Sequence, residues 1–171
     1  MKDDGKTNKL TKILFIIYLI VLFLIIIFKL DIPFSRLGYM RSINLIPFGG
    51  SLIINNKLNF SEIVMNVVIF IPLGMYVEVL FKRWTIGRKI FFVFLISFIC
   101  EVSQFILGVG ASDITDIINN MLGGIIGLVI YKGIVKIMKN NDKAQKFINI
   151  IATIGTGLMV LLLSVLVIYN L

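Results

Sequence analysis

The chain has 171 residues, of which 58% are hydrophobic and 15% are charged, and its mean hydropathy is +1.02. Soluble domains carry about a quarter charged residues, so this composition excludes an ordinary soluble enzyme and indicates a polytopic membrane protein. The net charge of +8 is distributed around the apolar segments rather than gathered in one patch, so we expect no nucleic-acid partner.

Five apolar segments are each long enough to cross a bilayer as a helix, at residues 10–28, 63–81, 90–107, 114–135 and 147–169. The first follows several lysines, but its apolar run is too long for a signal peptide, so we expect an uncleaved anchor. The sequence therefore predicts an all-α integral membrane protein, a five-helix transmembrane bundle that forms one domain over residues 1–171.

The distribution of basic residues predicts the orientation of this bundle. Most of the 17 lysines and arginines lie in the segments 2–12, 82–89 and 132–146, which share one side of the membrane if the chain crosses five times. Cytoplasmic loops are enriched in Lys and Arg. We therefore expect a cytoplasmic N-terminus and an external C-terminus.

The loop between the first two predicted spans, residues 31–62, lies on the outer side in this orientation. It is too short for an independent core and too apolar to be a free loop, and Pro33, Pro47 and the pair Gly49–Gly50 interrupt any helix within it. We predict an interfacial or partly re-entrant excursion.

At the inner end of the second predicted span, Glu78 stands four residues before Lys82. Residues at this spacing are neighbours on a helix, so we expect the two side chains to form an ion pair near the membrane surface.

The third span carries a glutamate within its apolar sequence. Glu101 and Gln104 are three residues apart and share a helix face. A carboxylate at the centre of a membrane helix costs about 2.5–3.5 kcal/mol on insertion scales, so it is usually kept for a function or for a partner. No cation lies on the same helix within the span, and we therefore favour a functional role for Glu101.

The fourth span presents polar and glycine residues on one face. Asp113, Asp116 and Asn120 lie within one arc of the helix. The same arc continues deeper into the span with three glycines, Gly123, Gly124 and Gly127. A helix-capping role for Asp113 and a dipole-complementing role for Asp116 are open alternatives, and the glycines favour close helix packing.

The predicted topology brings further polar residues to the same depth in the outer leaflet. Asn66 lies one turn inside the second span, and Arg36, Arg41 and Asn44 lie in the outer loop. Asn66 could instead be a structural hydrogen-bonding partner between helices. The candidate site therefore comprises eight residues: Arg41, Asn44, Asn66, Glu101, Gln104, Asp113, Asp116 and Asn120.

The residue inventory limits the chemistry of such a site. The chain has no histidine and one cysteine, which removes imidazole bases and zinc centres. No serine has an adjacent base, and no glycine-rich phosphate loop is present. We expect no metal and no cofactor, although a divalent cation between Asp113 and Asp116 remains open. We favour a binding protein over an enzyme.

Three segments together resemble the VanZ-like family of bacterial membrane proteins, over roughly residues 41–127. They are NLIPF at 44–48, NVVIFIPLG at 66–74, and the polar series from Glu101 to Gly127. Many relatives have an arginine three residues before the first aspartate, where this chain has Gly110. Arg36 or Arg41 could take the place of that arginine.

The resemblance implies a multi-pass protein of the bacterial cell membrane, in a Gram-positive setting, linked to low-level glycopeptide resistance, to teicoplanin more than to vancomycin. Our leading hypothesis is an outer-leaflet polar cleft that binds an amphiphile, such as the tail region of a lipoglycopeptide or an isoprenoid-linked wall precursor. Two alternatives remain open: an intramembrane enzyme acting on a lipid phosphate or a lipid-linked sugar, and a structural membrane scaffold.

Overall fold

The computed structural model describes residues 3–28, 40–47, 53–54, 57–58 and 60–170. Within these parts the chain forms five helices: α1 (Asp3–Phe28), α2 (Phe60–Leu80), α3 (Ile86–Leu107), α4 (Ile114–Met138) and α5 (Asn141–Asn170). Each predicted span coincides with one of them, and the all-α bundle is confirmed. Several helices begin or end beyond the apolar segments, because lysine- and asparagine-containing turns extend them at one end.

Four helices are long and apolar enough to cross a membrane within the part of the chain that is described. They are Thr7–Ile27, Phe60–Leu80, Ile86–Leu107 and Ile114–Met138. The molecule is therefore a multi-pass membrane protein. The crossing by α5 and the orientation of the termini stay predictions.

Hydrogen bonds at each end of the helices define two ends of the bundle. At one end, Gln145 Nε2 of α5 donates to Asn8 Oδ1 of α1 at 2.9 Å, so the N-termini of these two helices lie together. We call this the basic end, because the predicted inner lysines and arginines belong to it. At the other end, Gln104 Nε2 of α3 donates to the Ile26 carbonyl of α1 at 2.7 Å. We call this the acidic end.

Short strands in the outer loop are a feature that the sequence pattern did not indicate. Strand β1 (Met40–Asn44) pairs in parallel with β4 (Val109–Asp113), which directly precedes α4. Strands β2 (Ile53–Ile54) and β3 (Lys57–Leu58) form an antiparallel pair. The β1–β4 pair fixes part of the loop to the connection between α3 and α4. Pro33, Gly49 and Gly50, on which the prediction of an excursion also rested, lie outside the described residues.

The closest helix packing is between α2 and α4, and glycines allow it. A Cβ atom added to Gly123 would overlap the Val67 carbonyl oxygen, and one added to Gly127 would overlap that of Ile71. Gly124 and Gly74 also face each other, since a Cβ on Gly74 would overlap the Gly124 carbonyl oxygen. The backbones of the two helices therefore approach to a distance that only glycine permits.

The apolar core lies where α1 meets α2 and α3. Leu22, Phe70 and Leu73 are almost fully buried there, and Cys100 of α3 is buried with them. The Phe15 ring packs on Tyr76 with centroids 5.4 Å apart. These contacts pack α1 against α2 and α3.

The ion pair predicted between Glu78 and Lys82 is wrong. Glu78 Oε2 instead accepts from Lys89 Nζ of α3 at 2.8 Å, and the Lys89 side chain is 5% exposed. The short connection between α2 and α3 folds the start of α3 back against α2, which places a buried lysine closer to the carboxylate than the solvent-exposed Lys82. The spacing of residues along one helix does not show which side chains of a neighbouring helix lie close to it.

Candidate functional site

The connection between α3 and α4 is a compact turn that places two carboxylates together. Helix α3 ends at Gly108, whose left-handed conformation (φ 62°) lets its N–H reach the carbonyl groups of Gln104 and Phe105. Strand β4 follows and ends at Asp113, which caps α4 by accepting from Thr115 N at 2.8 Å. The capping role left open for Asp113 is therefore observed.

Glu101 is bound to this same turn. Glu101 is only 2% exposed, and its Oε2 accepts a hydrogen bond from the backbone N–H of Asp113 at 3.0 Å. This bond satisfies a donor at the N-terminus of α4, where a negative charge is favoured by the helix dipole. The positive end of the α4 dipole thus stabilises the buried carboxylate of Glu101.

The outer loop reaches Asp113 from the opposite side through β1. Asn44 Nδ2 donates to Asp113 Oδ2 at 3.0 Å, and the two residues are partners in the β1–β4 register. The same register places the Cα atom of Arg41 opposite that of Gly110. The structure describes the backbone of Arg41 and not its side chain, and Arg36 lies outside the described residues. The strand carrying Arg41 therefore lies beside Gly110, the position at which the resemblance led us to expect an arginine.

A second carboxylate contact connects α2 and α4. Asn66 Nδ2 donates to Asp116 Oδ1 at 2.6 Å, and Asp116 is 5% exposed. Asp116 lies in the first turn of α4, so its charge also faces the positive end of that helix. Both residues lie at the acidic end of the bundle: Asp116 in the first turn of α4, and Asn66 between one and two turns after the start of α2 at Phe60.

Gln104 contributes a hydrogen-bond acceptor without a described partner. Its Nε2 donates to the Ile26 carbonyl at 2.7 Å, which fixes the orientation of the amide. The residue is 1% exposed, and its Oε1 is buried with no hydrogen-bond partner among the described residues. Buried polar atoms are nearly always paired, so this oxygen marks a position where a further donor belongs.

These side chains meet at a cavity of about 430 Å³ between α1, α2, α3 and α4, which we call the acidic cleft. Its polar lining comprises Ser61, Glu62, Asn66, Glu101, Gln104 and Asp116, and its apolar lining comprises Ile25, Ile26, Met65 and Ile69. The lining of the cleft thus combines several oxygen acceptors with hydrocarbon surface.

The structure does not bring every candidate to the cleft. Asp113 and Asn44 are not part of its lining: the Asp113 N–H donates to Glu101, and the Asp113 side chain accepts from Asn44. Asn120 lies one turn deeper, where its Nδ2 donates to Ser97 Oγ of α3 at 2.9 Å. Gly123, Gly124 and Gly127 lie deeper still, against α2 and α3. Seven of the eight candidates therefore divide into four that line the cleft and three that lie outside its lining, while the side chain of Arg41 lies outside the described part of the chain. The four are Asn66, Glu101, Gln104 and Asp116, and the three are Asn44, Asp113 and Asn120.

Three polar residues that line or support the cleft were missed by sequence reasoning: Ser61, Glu62 and Ser97. Glu62 lines the cleft, but it stands just before the apolar segment and was counted with the outer loop. It is four residues before Asn66, so helical spacing could have placed the two on one face. Ser97, likewise four residues before Glu101, is fully buried, and its position on that face was the available signal.

The described residues contain no group of three or more His, Cys, Asp or Glu side chains arranged to hold a metal ion. The arrangement is instead a set of hydrogen-bond acceptors beside an apolar wall. A site of this kind can bind a molecule that presents O–H or N–H groups together with a hydrocarbon part.

Comparisons with known proteins agree on one family. The model of the VanZ/LLP1 family matches residues 15–139. Protein VanZ from Enterococcus faecium is 38% identical over 157 residues, which cover 90% of this chain and 91% of that protein. No solved structure shows a significant match. The matched region includes every residue that lines the acidic cleft.

Proposed function

This chain belongs to the VanZ/LLP1 family, and from that premise we propose that its acidic cleft binds an amphiphile from the outer leaflet and thereby lowers susceptibility to teicoplanin. The ligand has a head group that carries hydroxyl or amide donors and a hydrocarbon tail. A lipoglycopeptide has both parts, and so does a lipid-linked wall precursor.

The observation that carries this proposal is the mixed lining of the cleft. Glu101, Gln104 and Asp116 supply oxygen atoms to the lining, while Ile25 and Ile69 supply hydrocarbon. Ligand sites combine a mainly apolar surface with a few convergent polar groups. A cavity of about 430 Å³ accommodates part of a large amphiphile, such as one sugar or the start of an acyl chain.

The polar lining favours donors over phosphate as the recognised group. Carboxylates accept hydrogen bonds and repel anions, and the Oε1 of Gln104, which has no partner in the part of the chain that is described, also accepts. Sugar hydroxyls and peptide N–H groups, which lipoglycopeptides carry, match this set. A bare lipid phosphate does not match it.

Replacing Glu101 and Asp116 by their isosteric amides distinguishes a role in ligand binding from a purely structural role. In Glu101→Gln the new Oε1 can still accept from the Asp113 N–H, and in Asp116→Asn the new Oδ1 can still accept from Asn66. Both variants therefore keep the contacts between helices and remove the charge. A charged acceptor contributes about 1.5–3 kcal/mol and a neutral one about 0.5–1.5 kcal/mol, so we expect ligand binding about five- to tenfold weaker in each.

The test is expression in a susceptible Gram-positive host, with teicoplanin and vancomycin susceptibility measured for wild type, Glu101→Gln and Asp116→Asn. The matched control is Asp142→Asn, which removes an exposed carboxylate from the basic end. We expect wild type and the control to protect against teicoplanin more than vancomycin, and both cleft variants to lose that protection at normal expression and thermal stability. Full protection by both cleft variants contradicts the proposal, and a parallel loss of stability supports the scaffold instead.

A further inference from the structure

A second polar cavity lies at the basic end, far along α2 and α4 from the acidic cleft. It has a volume of about 280 Å³ and lies between the end of α2, the last turns of α4 and the start of α5. Six residues line it: Glu78, Lys82, Tyr131, Lys132, Val135 and Asn141. A water molecule occupies about 30 Å³ of liquid, so this cavity has room for a polyatomic ion.

Tyr131 gives this cavity a buried donor without a described partner. The residue is 2% exposed, and its ring is packed with Val79, Ala144 and Ile148. Its hydroxyl has no hydrogen-bond partner among the described residues. Buried tyrosine hydroxyls normally find a partner, so this group indicates that a hydrogen-bond acceptor belongs in the cavity.

The charges around the cavity favour an anion as that acceptor. Lys82 and Lys132 both line it and are solvent-exposed. The carboxylate of Glu78 is bonded to Lys89 at 2.8 Å, which offsets its negative charge. Asp142, in the first turn of α5, is an acidic neighbour on the solvent side.

The start of α5 adds to this positive character. Helix α5 begins at Asn141, so the positive end of its dipole is at the cavity wall. Asn140 Oδ1 already accepts from Asp142 N and Lys143 N. The helix start is therefore ordered and capped without the use of Asn141, which lines the cavity.

From these contacts we propose that the cavity at the basic end binds a phosphate group, with Tyr131 as a hydrogen-bond donor and Lys82 and Lys132 as the charges that select an anion. The site stands at the end of membrane-crossing helices, where lipid head groups lie, so an anionic phospholipid is the natural source of the phosphate. This site is separate from the acidic cleft and does not depend on the function proposed for it.

The proposal is tested by thermal unfolding and equilibrium binding of the purified, delipidated full chain. The probes are dioleoylphosphatidylglycerol, dioleoylphosphatidylcholine and inorganic phosphate. We expect phosphatidylglycerol to stabilise wild type and phosphatidylcholine to have little effect. We expect the double variant Lys82→Gln/Lys132→Gln to bind phosphatidylglycerol about tenfold more weakly, and Tyr131→Phe about fivefold more weakly.

The matched control is Lys9→Gln/Lys12→Gln, which removes two exposed lysines from α1 at the same end of the bundle. It should bind phosphatidylglycerol within about twofold of wild type, because neither Lys9 nor Lys12 lines the cavity. Equal weakening in the two double variants, equal binding of the two lipids, or unchanged binding by Tyr131→Phe would each overturn the proposal. Stabilisation by inorganic phosphate as strong as that by phosphatidylglycerol, and lost in the double variant, would support the phosphate site and identify free phosphate as its source.

Discussion

At the scale of single residues, hydrogen bonds from other elements hold two carboxylates of the cleft. Asp116 of α4 accepts from Asn66 of α2, and Glu101 of α3 accepts from the backbone of Asp113. These bonds connect three helices and leave the side chains at the cleft wall. The same groups therefore position the helices and form the polar surface that a ligand would contact.

The Asn66–Asp116 bond predicts a clear effect of charge at Asn66. In Asn66→Asp, a second carboxylate would face Asp116 at a contact distance that is now 2.6 Å, and the donor would be lost. Facing carboxylates repel each other, and a hydrogen bond to a charged group contributes about 1.5–3 kcal/mol, so we expect the free energy of unfolding to fall by about that amount near neutral pH. Thermal unfolding in detergent measures it.

The control for this change is Asn140→Asp at the start of α5. Asn140 Oδ1 accepts two backbone N–H groups, and aspartate performs that capping role equally well. We expect little change in stability for this variant. Equal unfolding temperatures for Asn66→Asp and Asn140→Asp would show that the Asn66–Asp116 contact does not stabilise the bundle.

Polar residues inside apolar segments made the cleft partly predictable from the sequence. Asn66, Glu101, Gln104 and Asp116 were chosen because each is costly in a membrane, and all four line the cleft. Glu62 was missed because it stands outside the apolar run. The partners of these side chains could not be predicted, because they depend on which helices are adjacent.

At the scale of elements, the glycine face of α4 determines how closely α2 can approach. Gly127 is in direct contact with α2, whereas a Cβ on Gly133, further along the same helix, would meet nothing within 4 Å. The two positions therefore provide a matched pair for one substitution.

We expect Gly127→Ala to destabilise the protein and Gly133→Ala to be neutral or slightly stabilising. Overpacking a close interface typically costs about 1–3 kcal/mol, while glycine to alanine in an open helix interior gains up to about 1 kcal/mol. Thermal unfolding of both variants in the same detergent gives the comparison. A stabilised Gly127→Ala would contradict the close contact between α2 and α4.

The helices could be predicted from the sequence, but the strand pair beside the cleft could not. Long apolar runs define helices locally, because the bilayer requires about 20 residues per span. The β1–β4 pair joins Met40–Asn44 to Val109–Asp113, and neither strand has an alternating pattern. A pairing between segments so distant in sequence follows from the arrangement of the helices, which local patterns do not contain.

At the scale of the whole molecule, the bundle separates two polar sites at opposite ends. The acidic cleft and the β1–β4 pair lie at one end, and the lysine-rich cavity lies at the other. The predicted orientation places the cleft toward the outer leaflet and the lysines in the cytoplasm, in agreement with the enrichment of basic residues in cytoplasmic loops.

This orientation is testable by cysteine labelling in intact cells. In a Cys100→Ser background, Ser42→Cys places a thiol on exposed β1 at the acidic end, and Arg83→Cys places one in the exposed connection between α2 and α3 at the basic end. We expect a membrane-impermeant maleimide to label Ser42→Cys in intact cells and Arg83→Cys only after permeabilisation. The reverse pattern would place the cleft on the cytoplasmic side and contradict binding from the outer leaflet.

The claim that the acidic cleft is the ligand site is tested most directly by filling it from its apolar side. Met65 lines the cleft and is 45% exposed, whereas the adjacent Val64 is 54% exposed and is not part of the lining. The measurement is saturable binding of labelled teicoplanin to protein in nanodiscs, for wild type, Met65→Trp and Val64→Trp. The account predicts binding at least about tenfold weaker in Met65→Trp, with Val64→Trp close to wild type. Equal binding by the two tryptophan variants, or no saturable binding by wild type, would contradict it.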